Sequence, residues 1–189
     1  MAVILITGGA RSGKSKRAET RTRAFPGQPV YVATAEALDA EMEARIAGHR
    51  ARRGTGWIER EVPLDLAEAL VATDGGGARL VDCLTLWLVN ALMPMHVQEH
   101  ASSPVSAAAV RAVWSDLRMD FLSALDEELA SPVLLVSNEI GCGVIPMGAE
   151  VRQFVDELGR LNQDVAQCCA QLTLMVAGQP FTKAVEKWA

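Results

Sequence analysis

The sequence predicts an α/β fold, a mostly parallel sheet with helices on both faces, built as a single domain over residues 1–189. Three observations predict it. Short continuous apolar runs rich in branched residues recur along the chain, as strands buried on both faces require. Longer stretches of helical period separate these runs, which gives the alternation of a parallel sheet with crossover helices. Half of the 189 residues are hydrophobic, enough for one substantial core.

Ala2 to Ile6 is the first apolar run, and the glycines after it lead into Ser15 to Arg23, which contains no Gly or Pro: strand, loop, helix. Pro26-Gly27 ends this unit, and Val30 to Ala33 is the second short strand. Asp39 to Arg53 reads as a helix from its ends. Asp39 caps it, Glu41 and Glu43 stand in the first turn, and Arg50, Arg52 and Arg53 crowd the last turn before Gly54, each charge complementing the helix dipole. Trp57 to Val62 reads as a strand, Leu64 to Thr73 as a short helix, Gly75-Gly76-Gly77 as a turn, and Ala78 to Asp82 as the next strand. The pattern is helical over Cys83 to Met93 and over Val105 to Ala130, with a polar loop at His96 to Pro104 between them. Val133 to Ser137 is again a strand. Val151 to Cys169 is a helix with Val151, Phe154, Val155, Leu158, Leu161 and Val165 along one stripe, and Leu172 to Ala177 is the final strand. The tail after Gly178 carries no assignment.

Charged residues make up 22% of the chain and the formal net charge is −5, which excludes the basic surface of a nucleic-acid binder and points to a small ligand. Positive charge is local, in Arg11, Lys14, Lys16 and Arg17 and again in Arg45, Arg50, Arg52 and Arg53. Cys83, Cys142, Cys168 and Cys169 have no C-x-x-C spacing, which suits a reducing cytoplasm. No apolar run reaches the roughly 20 residues of a membrane span, and the N-terminus lacks the features of a secretory signal, so a cytoplasmic location is expected.

Gly8-Gly9-Ala10-Arg11-Ser12-Gly13-Lys14-Ser15 matches G-x-x-x-x-G-K-S/T in full, between a strand and the helix it opens. The fold is therefore expected to be of the P-loop NTPase type. Backbone N–H groups of the loop converge on phosphate oxygens, Lys14 reaches the β and γ phosphates of a purine triphosphate, and the Ser15 hydroxyl ligates Mg²⁺. Two acids compete as the partner for that metal: Asp82, ending one core strand, and Glu139, just beyond another. Asp82 is favoured, with a helix cap as the alternative role for either.

His49 lies four residues after Arg45 and three before Arg52, so the three share a helix face. Flanking guanidinium groups disfavour protonation and keep the imidazole neutral and nucleophilic at pH 7, and they can hold a triphosphate. On residues alone, a lone histidine among arginines is more often a solvated helix surface. His96 and His100 have no comparable surroundings.

Taken together, TGGARSGKS at Thr7 to Ser15, YVAT at Tyr31 to Thr34, DAEMEARIAGHRARR at Asp39 to Arg53, LVDCLT at Leu80 to Thr85 and NEIGCGVIP at Asn138 to Pro146 resemble one family over nearly the full chain. It is the bifunctional adenosylcobinamide kinase and adenosylcobinamide-phosphate guanylyltransferase family of cobalamin biosynthesis. The resemblance implies phosphorylation of the cobinamide aminopropanol hydroxyl with ATP or GTP, then transfer of GMP from GTP through a guanylyl-histidine at His49, with Lys14 the second catalytic residue. It implies nucleotide contacts at Thr34, Ala35, Glu36, Ala51, Arg52, Arg53, Gly54, Glu61 and Asp82 besides Gly8 to Ser15, and a homotrimer; the metal site at Ser15 and Asp82 rests on the loop reading above. The expected partners are thus a corrinoid and a purine nucleotide. On residues alone, a small-molecule kinase without a covalent adduct and a nucleotide-dependent switch protein stay open, and no base for the kinase step is assigned.

Overall fold

The structure is a computed structural model that describes residues 2–93, 106–127 and 129–187. In chain order the elements are β1 (Val3–Gly8), α1 (Lys14–Thr22), β2 (Val30–Ala33), α2 (Ala40–Arg53), β3 (Ile58–Glu61), α3 (Leu66–Ala72), β4 (Arg79–Asp82), α4 (Leu84–Leu92), α5 (Ala107–Asp126), β5 (Val133–Val136), α6 (Ala149–Cys168), β6 (Gln171–Val176) and β7 (Gln179–Ala184). The seven strands form one sheet in the order β3-β2-β4-β5-β1-β6-β7. Every pairing is parallel except β6 with β7.

Strand alternation divides the core in two. Val3 and Leu5 of β1 join Leu66 and Leu70 of α3, Trp87 of α4, Phe121 of α5 and Leu158 and Leu161 of α6 on one face. Ile4 and Ile6 face the other way, onto Ala18 of α1 and Met175 of β6. Because both faces are covered there, β1, β2 and β5 are buried at nearly every position rather than at every second one. Trp87 anchors the larger core: its ring lies 5.0 Å from Trp114 and 4.9 Å from Phe121, and its indole N–H donates to Leu64 O at 2.6 Å. Burying each such side chain stabilises the fold by about 1.5–3 kcal/mol.

Helix α2 behaves differently. Asp39 caps it as its sequence predicts, accepting a hydrogen bond from Met42 N at 2.7 Å, yet Arg53 is its only buried residue. The helix stands off the sheet and is held by ion pairs rather than by apolar packing.

The strands and helices lie within a few residues of the boundaries the sequence predicts, with one addition. β7 was not expected, since the tail after Gly178 carries no assignment. All of its residues are exposed, so no apolar pattern marks it, and it exists through antiparallel pairing with β6. The turn between them places Ala177 at φ 51° and Gly178 at φ 80°, a hairpin turn whose first residue is not one of the usual signals. The polar loop expected at His96 to Pro104, with His96 and His100, lies outside the described residues.

Candidate functional site

In an open parallel sheet ligands sit beyond the carboxyl ends of the strands, and the motif residues converge there. Gly8 closes β1 at φ 149°, where a Cβ would meet Met175 O at 2.4 Å and Ser12 Oγ at 2.8 Å. Only glycine fits. Gly13, at φ 96°, caps α1, so the loop amides and the helix N-terminus face one point. Lys14 Nζ folds back onto Gly9 O at 2.9 Å, and Gly178 N in the β6–β7 turn donates to Ser12 O at 3.1 Å, bracing the loop from behind. The Ser12 hydroxyl is buried without a hydrogen-bond partner among the described residues, an orphan that a phosphate oxygen would satisfy. Burial pulls the Lys14 pKa below the ordinary lysine value, with Arg45 adding to the shift and Cys83 and Asp82 opposing it.

A cleft of about 400 Å³ opens beside this loop, and helix α2 forms part of its wall. Lys14, Ser15, Ala35, Glu36, His49, Arg53, Glu61 and Asp82 all line it, so one cavity gathers residues from five separate chain segments. Other predicted contacts lie elsewhere. Gly8, Gly9, Ala10, Ser12 and Gly13 build the loop itself, with Arg11 exposed at φ 55°. Thr34 is wholly buried under the cleft, its hydroxyl bonded to Cys83 O and accepting from Cys83 N, both at 2.8 Å. Arg52 turns to Glu19 of α1 at 2.8 Å, and Ala51 and Gly54 are exposed outside the cleft.

His49 titrates below its ordinary value, and burial is the largest cause; Arg52 and Arg45 add to it while Asp82 and Glu19 oppose it. The sequence reading credits the arginines, whereas the cleft wall itself does most. The imidazole is neutral at pH 7 either way.

The two candidate acids separate. Asp82 faces the cleft and accepts a hydrogen bond from the Tyr31 hydroxyl at 3.0 Å. Burial pushes the Tyr31 phenol well above its ordinary range, so this hydroxyl remains a donor. The Arg53 guanidinium lies 3.6 Å from the Tyr31 ring centroid and pairs with Glu59, while Arg50 pairs with Glu59 at 3.2 Å and Glu61 at 2.6 Å. These contacts dock the end of α2. Glu139 is absent from the cleft wall: its N–H donates to Gly8 O at 3.2 Å, and its carboxyl takes hydrogen bonds from Thr7 and from Asn162 Nδ2, the latter at 3.3 Å. Among the described residues no three His, Cys, Asp or Glu side chains cluster tightly enough to hold a metal. The hydroxyl of Ser15 and the carboxylate of Asp82 both line the cleft, and these are oxygen groups that could hold Mg²⁺ together with phosphates.

Sequence reasoning overlooked Tyr31, Glu59 and Asn138, all on the cleft wall. Tyr31 stands in an apolar strand and reads as core. Glu59 and Glu61 carried a usable signal, since alternate glutamates on one strand face suit the arginine-rich end of a helix.

A family model described as cobinamide kinase / cobinamide phosphate guanyltransferase matches residues 4–183. The bifunctional adenosylcobalamin biosynthesis protein CobP of Pseudomonas aeruginosa is 45% identical over 179 residues, covering 94% of each chain. CobU of Salmonella typhimurium, of the same description, is 36% identical over 93% of this chain and 96% of its own. Among solved structures, an ATPase from the type III secretion system of pathogenic bacteria matches with a TM-score of 0.51 and 12% identity, over 93% of this chain and 51% of that one, which bears on the fold alone. A phosphate loop and a histidine helix on one cleft, matched along nearly the whole chain, place this protein in the cobinamide kinase / cobinamide phosphate guanyltransferase family.

Proposed function

We propose that this chain phosphorylates adenosylcobinamide with ATP or GTP and then transfers GMP from GTP to the product through a guanylyl group on His49, giving adenosylcobinamide-GDP. The carrying observation is that Lys14 and a neutral His49 line the same cleft, so one bound triphosphate meets both. In the guanylyl reaction the His49 imidazole attacks the α-phosphorus, and Lys14 with the loop amides takes up the charge of departing pyrophosphate. The phosphate of the second substrate then displaces His49. In the kinase reaction the same loop aligns the γ-phosphoryl group for in-line attack. Ser15 and Asp82 would hold Mg²⁺, which when bound would neutralise phosphate charge.

The proposed nucleotide set is Gly8 to Ser15 with Thr34, Ala35, Glu36, Arg52, Arg53, Glu61 and Asp82. Ala51 and Gly54 belong to the same proposed set, although they, like Thr34 and Arg52, do not line the cleft. A cytoplasmic homotrimer is part of this reading. The exposed Val144, Ile145 and Met147, at 95%, 79% and 97% of full exposure, support association, and the free cysteines suit a reducing compartment. Light scattering on the purified chain should give three times the protomer mass.

GTP labelled on the α-phosphate tests the mechanism. Label should remain on the denatured protein, disappear in acid and survive in base, and be absent from His49→Ala and from wild type given γ-labelled GTP. Unlabelled wild type would leave a plain kinase.

A further inference from the structure

The guanylyl reaction leaves Glu139 unused, although this acid stands close to the phosphate loop. Strand β5 runs beside β1, with Val136 opposite Ile6, and three residues further on the Glu139 N–H is bonded to Gly8 O at 3.2 Å. The backbone carrying this carboxylate is therefore tied to the first residue of the loop. Its orientation is set from behind: Ser137 Oγ donates to Asn162 Oδ1 at 2.6 Å, which turns the Asn162 amide so that its NH₂ serves Asn138 O at 3.0 Å and Glu139 Oε1 at 3.3 Å.

We propose that the Glu139 carboxylate is the general base of the kinase reaction, accepting the proton of the acceptor hydroxyl as that oxygen attacks the γ-phosphorus. This rests on the kinase reading above. The acceptor O–H bond breaks toward a Glu139 oxygen and an O–P bond forms. The bond from the γ-phosphorus to the β,γ-bridging oxygen breaks, and its electron pair leaves with the nucleoside diphosphate. Glu139 then releases the proton to water.

Three observations favour Glu139 over Glu59, Glu61 and Asp82. Glu59 and Glu61 are neutralised by arginines, and a carboxylate so paired is a poor base. Asp82 takes the Tyr31 hydrogen bond and lies beside Lys14, the place of phosphate charge rather than of an incoming hydroxyl. Glu139 is half-buried, with Thr7 of β1 and Asn162 of α6 as its polar neighbours, neither of them titratable, and burial moves it up from the ordinary carboxylate range. Glu139 itself is not on the cleft wall, but its chain neighbour Asn138 is, so this short segment joins the cleft to the first residue of the phosphate loop.

Glu139→Gln keeps the shape and removes the base. Its kcat for cobinamide phosphorylation should fall about 10²-fold or more with the nucleotide KM unchanged, while α-labelled GTP still marks His49 and cobinamide phosphate, supplied directly, still receives GMP. Glu139→Asp should recover part of the kinase rate. Phosphorylation by Glu139→Gln at the wild-type rate overturns the assignment, and an equal fall in both reactions overturns it too, leaving Glu139 a brace for the loop. If wild type itself fails to phosphorylate cobinamide, the kinase reading falls first and this inference with it.

Discussion

The phosphate loop and helix α2 share one cleft, yet different physics holds each in place. The loop is built from its own backbone. Gly8 and Gly13 adopt conformations closed to other residues, the loop amides bond within the turn, and α1 buries Ala18 against the sheet. α2 buries almost nothing and depends on charges supplied by other elements: Glu19 from α1 for Arg52, and Glu59 and Glu61 from β3 for Arg50. In the proposed mechanism a locally determined element serves both reactions, while an element docked by partly exposed ion pairs serves one of them.

The largest effect should come from the loop. Lys14→Ala removes a fixed positive partner of the transition state, a loss on the order of 3 kcal/mol or more, and should abolish phosphorylation and guanylyl transfer together. Either activity surviving at full rate would break the claim that one loop serves both. His49→Ala comes next: guanylyl transfer should vanish while phosphorylation of cobinamide continues, measured in separate assays with cobinamide and with cobinamide phosphate. Joint loss would show that α2 is not specific to one reaction.

Asp82→Asn should raise the Mg²⁺ concentration required by both reactions more than Glu139→Gln does, since of these two acids Asp82 alone lines the cleft with Ser15. Activity titrated against Mg²⁺ decides the order. A smaller change concerns pH. Protonation silences the nucleophile, and His49 titrates below the ordinary 6.5, so labelling of His49 should hold its rate at neutral pH and decline only below about 6.5. Removing Arg52 removes a positive neighbour that lowers the histidine pKa, so the decline in Arg52→Gln should move to higher pH. A decline already centred above 6.5 in wild type contradicts the buried, neutral imidazole. Smallest should be Glu19→Gln, which weakens one partly exposed pair worth about 1 kcal/mol or less and loosens α2 without touching the loop. Its guanylylation should slow modestly, with phosphorylation less affected.

Much of this arrangement was legible without coordinates, and unevenly so. The strand–loop–helix of residues 2–23, the Asp39 cap and the arginine-rich end of α2 follow from short-range rules and stand where those rules put them. Strand β7 was missed because its residues are exposed and its turn uses Ala177. The Tyr31 hydrogen bond to Asp82 joins residues 51 apart, and nothing local in either strand announces it.

What the sequence by itself determined is the set of groups that act through their immediate neighbours. The phosphate loop, the order of strands and helices and the histidine flanked by arginines depend on spacings of a few residues, and backbone sterics and periodicity operate at that range. What only the tertiary structure decided is which of those groups meet. The strand order β2-β4-β5-β1 brings the ends of strands distant in sequence to one edge, setting Asp82 on the cleft wall and Glu139 off it, bonded to Gly8 at the start of the loop. The burial that dominates the His49 shift likewise comes from surroundings supplied by remote segments, because desolvation counts everything packed around a group and takes no account of separation along the chain.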